Sequence, residues 1–231
     1  MEGYSLGLQK LDEAVGTLAP GTNLMIVGPP MSTKEAVVQK IIEQGLKNGE
    51  GVVLVETRMP AESILEQYKK RGTDVSRLAI VDCISRTLGV SSEETDTIQR
   101  AASAVDLTGI GVRISKFFER FWRGGPKEIR LVVDSLSTIL MYSNLQTVFR
   151  FLHVFTGRIK AAGALGVYSI DSGMYDDRTI ATLKQLFDGM IEIKQDQERE
   201  FIRVAGITPS PTPWFECRMD KSEGVIVSGG D

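Results

Sequence analysis

At 231 residues the chain is long enough for one large domain with a substantial core, and 42% hydrophobic with 25% charged residues is the balance of an ordinary globule. A net charge of −3 and a pI near 5.4 give no electrostatic reason for general affinity to nucleic acid or anionic membrane. Cys83 and Cys217 lie far apart and His153 is the single histidine, which argues against a disulfide framework, a zinc site or a histidine-anchored metal site.

In chain order, the opening Met-Glu-Gly-Tyr-Ser does not read as a signal peptide, and no apolar run reaches the roughly 20 residues of a membrane span, so a reduced cytoplasm is the expected location. Apolar strands are expected at Leu24–Val27, Gly51–Val55, Leu78–Val81, Ile129–Val133 and Ala164–Ile170. Between them the pattern predicts helices over Ser32–Lys47, Ala61–Lys70, Val112–Trp122 and Leu145–Ala162. That alternation argues for a largely parallel sheet covered on both faces. The last quarter changes character. Short strands at Gly189–Lys194, Glu200–Val204, Trp214–Met219 and Val225–Ser228, separated by Gly, Pro and charge, read as antiparallel additions to one sheet edge. Ser91–Thr97, Gly124–Pro126 and Thr208–Pro213 read as loops. One domain over residues 1–231 is the expectation.

The first strand leads into Gly28-Pro29-Pro30-Met31-Ser32-Thr33-Lys34-Glu35. This is the position and shape of a phosphate loop, G-x-x-x-x-G-K-S/T, whose inward backbone N–H groups, lysine and hydroxyl hold a polyphosphate and its magnesium. Gly28 and Lys34 are in place. Thr33 stands where the motif has glycine, putting a branched side chain beside the lysine, and Glu35 replaces the magnesium-binding hydroxyl. A carboxylate ~5 Å from a phosphate charge costs about 3 kcal/mol at an effective dielectric near 20. A second reading of the same residues is S-x-x-E, a capping box. Ser32 would cap the helix while Glu35 folds back onto the Ser32 amide, filling the anion site from within.

A hundred residues on, Ile129-Arg130-Leu131-Val132-Val133-Asp134 is an apolar strand ending in an acid, the placement of a carboxylate that orients water on magnesium. Taken with residues 5–28, where G-L-x-x-L-D and then P-G precede the strand, the chain resembles a KaiC-like ATPase domain of the RecA superfamily. Leu131–Thr138 is similar to that family's second nucleotide motif, and Asp106–Gly111 to a segment of archaeal KaiC-related proteins. The resemblance covers nearly the whole length. It implies a RecA-like three-layer α/β sandwich with a mostly parallel central sheet and antiparallel C-terminal edge strands, rings or filaments, and ATP or ADP with magnesium between subunits. On that resemblance Gly28–Glu35 and Asp134 are the nucleotide-binding residues, with Asp134 on the metal side through water. Glu56, in Val55-Glu56-Thr57-Arg58, is the residue at the place of a water-polarising glutamate pair. The family's late Lys-x-Arg element is missing from Phe201–Ile207, where Arg203 is a substitute that an alternating strand explains equally well.

Several further residues have both a functional and a packing reading. Arg113, Lys116, Arg120 and Arg123 among Phe117, Phe118, Phe121 and Trp122 form either a nucleic-acid stripe or the solvated face of an amphipathic helix. Asp171, Asp176 and Asp177 read as a polar loop rather than a metal site, and His153, Tyr168, Ser169 and the Pro213–Phe215 segment as packed residues. The departures from the motifs point to a KaiC-like scaffold or regulatory subunit that does not hydrolyse nucleotide, assembled with itself or another protein. The alternatives are a slow oligomeric ATPase and an accessory protein in DNA repair or recombination.

Overall fold

The computed structural model describes residues 3–90, 93–220 and 224–230. Part of the expected Ser91–Thr97 loop, at Ser91 and Ser92, and the first two residues of the opening segment lie outside the described residues. Five parallel strands form where the apolar runs are: β1 (Asn23–Gly28), β2 (Gly51–Glu56), β3 (Leu78–Asp82), β5 (Ile129–Asp134) and β6 (Leu165–Asp171). A short sixth, β4 (Ile98–Arg100), joins β3 at the edge. The C-terminal strands are β7 (Gly189–Asp196), β8 (Arg199–Ala205), β9 (Phe215–Asp220) and β10 (Gly224–Gly230). All ten make one sheet in the order β10-β9-β8-β7-β1-β6-β5-β2-β3-β4. Strand β7, expected with the others as an antiparallel addition, instead pairs parallel with β1, so the antiparallel part begins one strand later. From there β7–β8, β8–β9 and β9–β10 pair antiparallel, as the change in sequence pattern predicts.

Strand alternation divides the core in two. Leu24, Ile26, Val52, Leu54 and Val132 face one side, with α1 (Gln9–Val15), α2 (Lys34–Lys47) and α3 (Ala61–Lys70). Met25, Val53, Val55, Leu131 and Val133 face the other, with α4 (Leu107–Gly124), α5 (Leu136–Tyr142), α6 (Leu145–Ala162) and α7 (Asp177–Lys184). The result is a three-layer sandwich. Every residue of β2 and of β5 is buried, which is why those runs are continuously apolar rather than alternating. Even Arg130 of β5 is buried. Its Nε and one Nη hold both Glu50 oxygens at 2.9 and 2.8 Å, and the guanidinium also reaches the carbonyls of Ile41 and Ser5.

Helix ends follow local chemistry. Asn144 caps α6 by accepting from the Thr147 amide at 2.9 Å, and Gly163 ends it in the left-handed conformation at φ 62°. Helix α4 begins five residues before the predicted start, because Asp106 accepts from the Gly109 amide at 2.9 Å and adds a turn. Helix α2 begins two residues later than predicted. Ser32 lies in the preceding turn with its Oγ donating to the Pro29 carbonyl at 2.7 Å, and Thr33 precedes the helix without a side-chain cap.

Candidate functional site

Strands β1, β6, β5 and β2 lie side by side and point the same way, so their C-terminal ends form one rim of the sheet. Gly28 is the register partner of Asp171, and Glu56 that of Asp134. Open α/β sheets bind ligands outside such ends. The topology therefore brings together the phosphate-loop residues, Asp134 and Glu56, as the sequence predicts, and adds Asp171.

Gly28 makes the turn out of β1. A β-carbon there would lie 3.0 Å from that of Ile193 on β7, so a side chain at this position would have to push Ile193 aside. Pro29 and Pro30 lead to Met31, which takes a left-handed φ of 58° and is almost wholly exposed. Ser32 bridges the turn to the helix, its Oγ accepting from the Lys34 amide at 3.3 Å. The capping box does not form. Instead of returning to the Ser32 amide, the Glu35 carboxylate lies 3.3 Å from Lys34 Nζ and 3.3 Å from Arg58. The cationic neighbours supply a stronger interaction than a backbone N–H, and they draw the side chain sideways across the rim.

A carboxylate does occupy the helix start, but it is a different one. Glu200 of β8 accepts from the Thr33 amide at 2.7 Å. Its cross-strand partner Cys217 lies 3.4 Å from Thr33 Oγ1. Thr33 is thus clasped by the antiparallel strands, and its side chain packs against β9 rather than obstructing the approach to the lysine. Burial raises the Cys217 thiol to about 11, so it is a neutral packing group.

Lys34 is 1% exposed and forms an ion pair with Asp171 as well as with Glu35. Arg58 bridges Glu35 and Asp134, meeting the latter at 2.5 Å. The other Asp134 oxygen accepts from Ser169 Oγ at 2.5 Å. The rim is a continuous charge chain: Asp171, Lys34, Glu35, Arg58, Asp134. Two cations face four carboxylates when Glu200 is included. Burial opposes the charge of Arg58, but the carboxylates of Asp134, Glu56 and Glu35 outweigh it and hold the guanidinium more firmly protonated than usual. Glu56 is buried, with one oxygen accepting from the Arg58 and Met59 amides at 2.8 and 3.2 Å. Burial, then the charge of Asp134, push its carboxyl up to about 7. Beside this chain lies a cleft of about 210 Å³ whose wall includes Glu35, Glu56, Arg58 and Asp134.

In this arrangement the groups that a magnesium nucleotide would use are engaged by the protein's own side chains. A phosphate loop needs a lysine free to meet phosphate, open amides at the helix start, a hydroxyl after the lysine and an acid free to hold metal-bound water. Here the lysine is paired twice, the Thr33 amide is taken by Glu200, Glu35 replaces the hydroxyl and both Asp134 oxygens are engaged. Among the described residues no group of three or more His, Cys, Asp or Glu side chains is arranged to hold a metal ion.

The remaining residues flagged by the sequence scatter. Asp176 caps α7 through the Thr179 amide at 2.8 Å. Tyr168 is fully buried in the sheet. His153, expected to be packed, is exposed and stacks on Phe149 one turn away, because α6 turns that face outward. The basic stripe of α4 is broken. Arg113 donates to the Gly109 carbonyl, Arg120 to that of Asp96, and Arg123 pairs with Glu119. Arg203 pairs with Glu192 at 2.6 Å and lies over Trp214, which Lys194 also covers. Arg58, Asp171 and Glu200 are the rim residues that the sequence reading missed as partners. For Glu200 the signal was present: in Glu200-Phe201-Ile202-Arg203-Val204 it shares alternation with buried Ile202 and Val204, an acid on the apolar face.

Sheet order, layers and rim define a KaiC-like fold of the RecA type. Among solved structures the chain is similar to the KaiC-like protein PH0186 from the hyperthermophilic archaeon Pyrococcus horikoshii OT3, which superposes with a TM-score of 0.74 at 15% identity over 98% of this chain and 99% of that one. Residues 21–193 match a family of unknown function, DUF7504, and the chain belongs to that family. No curated protein matches the sequence. Among the described residues no helix is long and apolar enough to cross a membrane.

Proposed function

We propose that this protein is a KaiC-like scaffold or regulatory subunit that does not hydrolyse nucleotide, its phosphate loop held shut by its own side chains. The observation that carries the reading is the double occupation of the loop, with Lys34 paired to Asp171 and Glu35 and the Thr33 amide bonded to Glu200. An incoming polyphosphate would have to displace these carboxylates and then lie among them. Its function would be exercised through assembly with further copies or with a protein partner.

A slow ATPase is the second reading, and Glu56 is the feature in its favour. A carboxyl pushed up to about 7 beside Asp134 has the proton affinity of a general base working near neutrality. Isothermal titration with Mg-ATP and Mg-ADP separates the two. Under the first reading the native protein gives no saturable heat at millimolar nucleotide, whereas Glu35→Thr combined with Glu200→Gln gains measurable affinity. Saturable binding by the native protein that disappears in Lys34→Ala would overturn it and make turnover the next assay.

A further inference from the structure

Helices α4 and α6 cover the same face of the sheet and leave a groove between them. Their early turns line one hollow of about 610 Å³ and their later turns a second of about 460 Å³, and the two share Ser115, Phe155 and Arg158. None of the residues of the candidate site lies in it. The floor is apolar, with Phe118 and Phe155 buried. The lips expose apolar surface as well: Val112 is 49% exposed, Val154 48% and Trp122 52%. Trp122 stands edge-on to Phe118 at 5.7 Å, so a bulky aromatic is held at the end of the groove with half its surface in water.

The rim is cationic in a chain whose net charge is negative. Lys116 and Arg150 are exposed and make no ion pair among the described residues. Arg158 has no acidic partner either; it donates to Ser115 at 2.8 Å and lies over the Phe155 ring at 5.0 Å, which fixes its charge along the groove. The acid on this rim, Glu119, is already paired with Arg123 at 2.5 Å. An apolar trough edged by cations without counter-ions matches a helix with an apolar stripe and acids along its borders. The lining positions on α4, from Leu107 through Gly111, Ser115 and Phe118 to Trp122, recur at helical spacing over about four turns, a length of roughly 22 Å.

We infer that the α4–α6 groove is a docking site for an acidic amphipathic helix of a partner protein. The apolar stripe of that helix fills the two hollows, and its acids meet Lys116, Arg150 and Arg158. The test uses a displayed library of single helices of roughly 18 residues, about five turns, with apolar residues fixed at i, i+3, i+4 and i+7 and the rest randomised, selected against the full chain. Selection should enrich Asp and Glu beside the apolar stripe. The enriched peptides should quench or shift Trp122 fluorescence in a Trp214→Phe background and lose about tenfold or more in affinity in Lys116→Glu/Arg150→Glu, whose positions are exposed and leave the core intact. Their affinity should fall as salt rises. Enrichment of basic or neutral helices, or binding indifferent to the double substitution, overturns the inference. It is likewise overturned if the double substitution instead dissolves a self-associated form, making the occupant a second copy, or abolishes binding to phosphatidylserine vesicles while leaving peptide binding intact.

Discussion

Glu56 and Asp134 are cross-strand partners at the rim, and only one of the two carboxyls has a guanidinium against it. Glu56 receives backbone amides, which are weaker compensation for burial, so its proton affinity rises to about 7 from an ordinary 4.5. A raised carboxyl favours the fold while protonated. Its contribution is complete below about pH 4.5 and is lost as pH rises through 7. The upper bound is about 3 kcal/mol, since each pKa unit is worth ~1.4 kcal/mol. Glu56→Gln should therefore melt close to the native protein at pH 5 and several degrees above it at pH 8; parallel curves across that range would mean that Glu56 is ionised throughout. At this scale the sequence is informative about position and poor about partners. Gly28, Lys34, Asp134 and Glu56 sit at strand ends, and a strand ending in a turn or an acid is visible as a pattern. What each meets there depends on which strands are neighbours. Asp171 becomes the partner of Lys34 because β6 lies beside β1, although 137 residues separate the two in the chain. Arg58 was in view in Val55-Glu56-Thr57-Arg58, but its reach across to Asp134 depends on β2 pairing with β5.

Elements were legible where burial is continuous or periodic. The central strands and helices α3 and α6 stand where the apolar pattern puts them. The elements that the pattern did not announce, α1, β4, α5 and α7, are short: eight residues at most, too few to display a period. Two of them are held by side-chain caps instead: the Ser135 Oγ accepts from the Thr138 amide at 3.5 Å to start α5, and Asp176 caps α7. Capping also explains the early start of α4. Asp106 serves two amides, with one oxygen on Gly109 at 2.9 Å and the other on Ala102 at 3.3 Å. Asp106→Ala should destabilise the protein by about 1 kcal/mol, the usual worth of an N-cap. The Gly109 and Ile110 region should lose amide protection before the rest of α4 does. Asp106→Asn should retain most of the stability, because the amide oxygen still accepts; equal losses in the two variants would assign the effect to charge rather than to capping.

The whole molecule is a parallel sheet extended by an antiparallel one, and the extension reaches back to the site. Its inner face packs Ile202, Val204, Phe215 and Cys217 into the core shared with α1 and α2. That packing sets Glu200 and Cys217, adjacent across β8 and β9, against Thr33 at the start of α2. The phosphate loop is therefore fixed at two ends. Gly28 is held by the β1–β6 pairing, and Thr33 by Glu200 and Cys217, which lie 167 and 184 residues further along the chain. If the C-terminal strands restrain the loop, removing the Glu200 carboxylate should release it without unfolding the sheet. A hydrogen bond to an ionised acceptor contributes roughly 1.5–3 kcal/mol. Exchange of the Thr33 amide should then accelerate by about ten- to a hundredfold in Glu200→Ala. Glu200→Gln, which keeps an acceptor but not the charge, should fall between that variant and the native protein, while amides in the middle of β1 stay protected in all three. Unchanged exchange at Thr33 would show that the loop is held by Lys34 and its two carboxylates alone, with the antiparallel extension serving only the core. Uniform acceleration through β1 would show instead that Glu200 supports the sheet as a whole, because β7 lies directly between β1 and the strand that carries it.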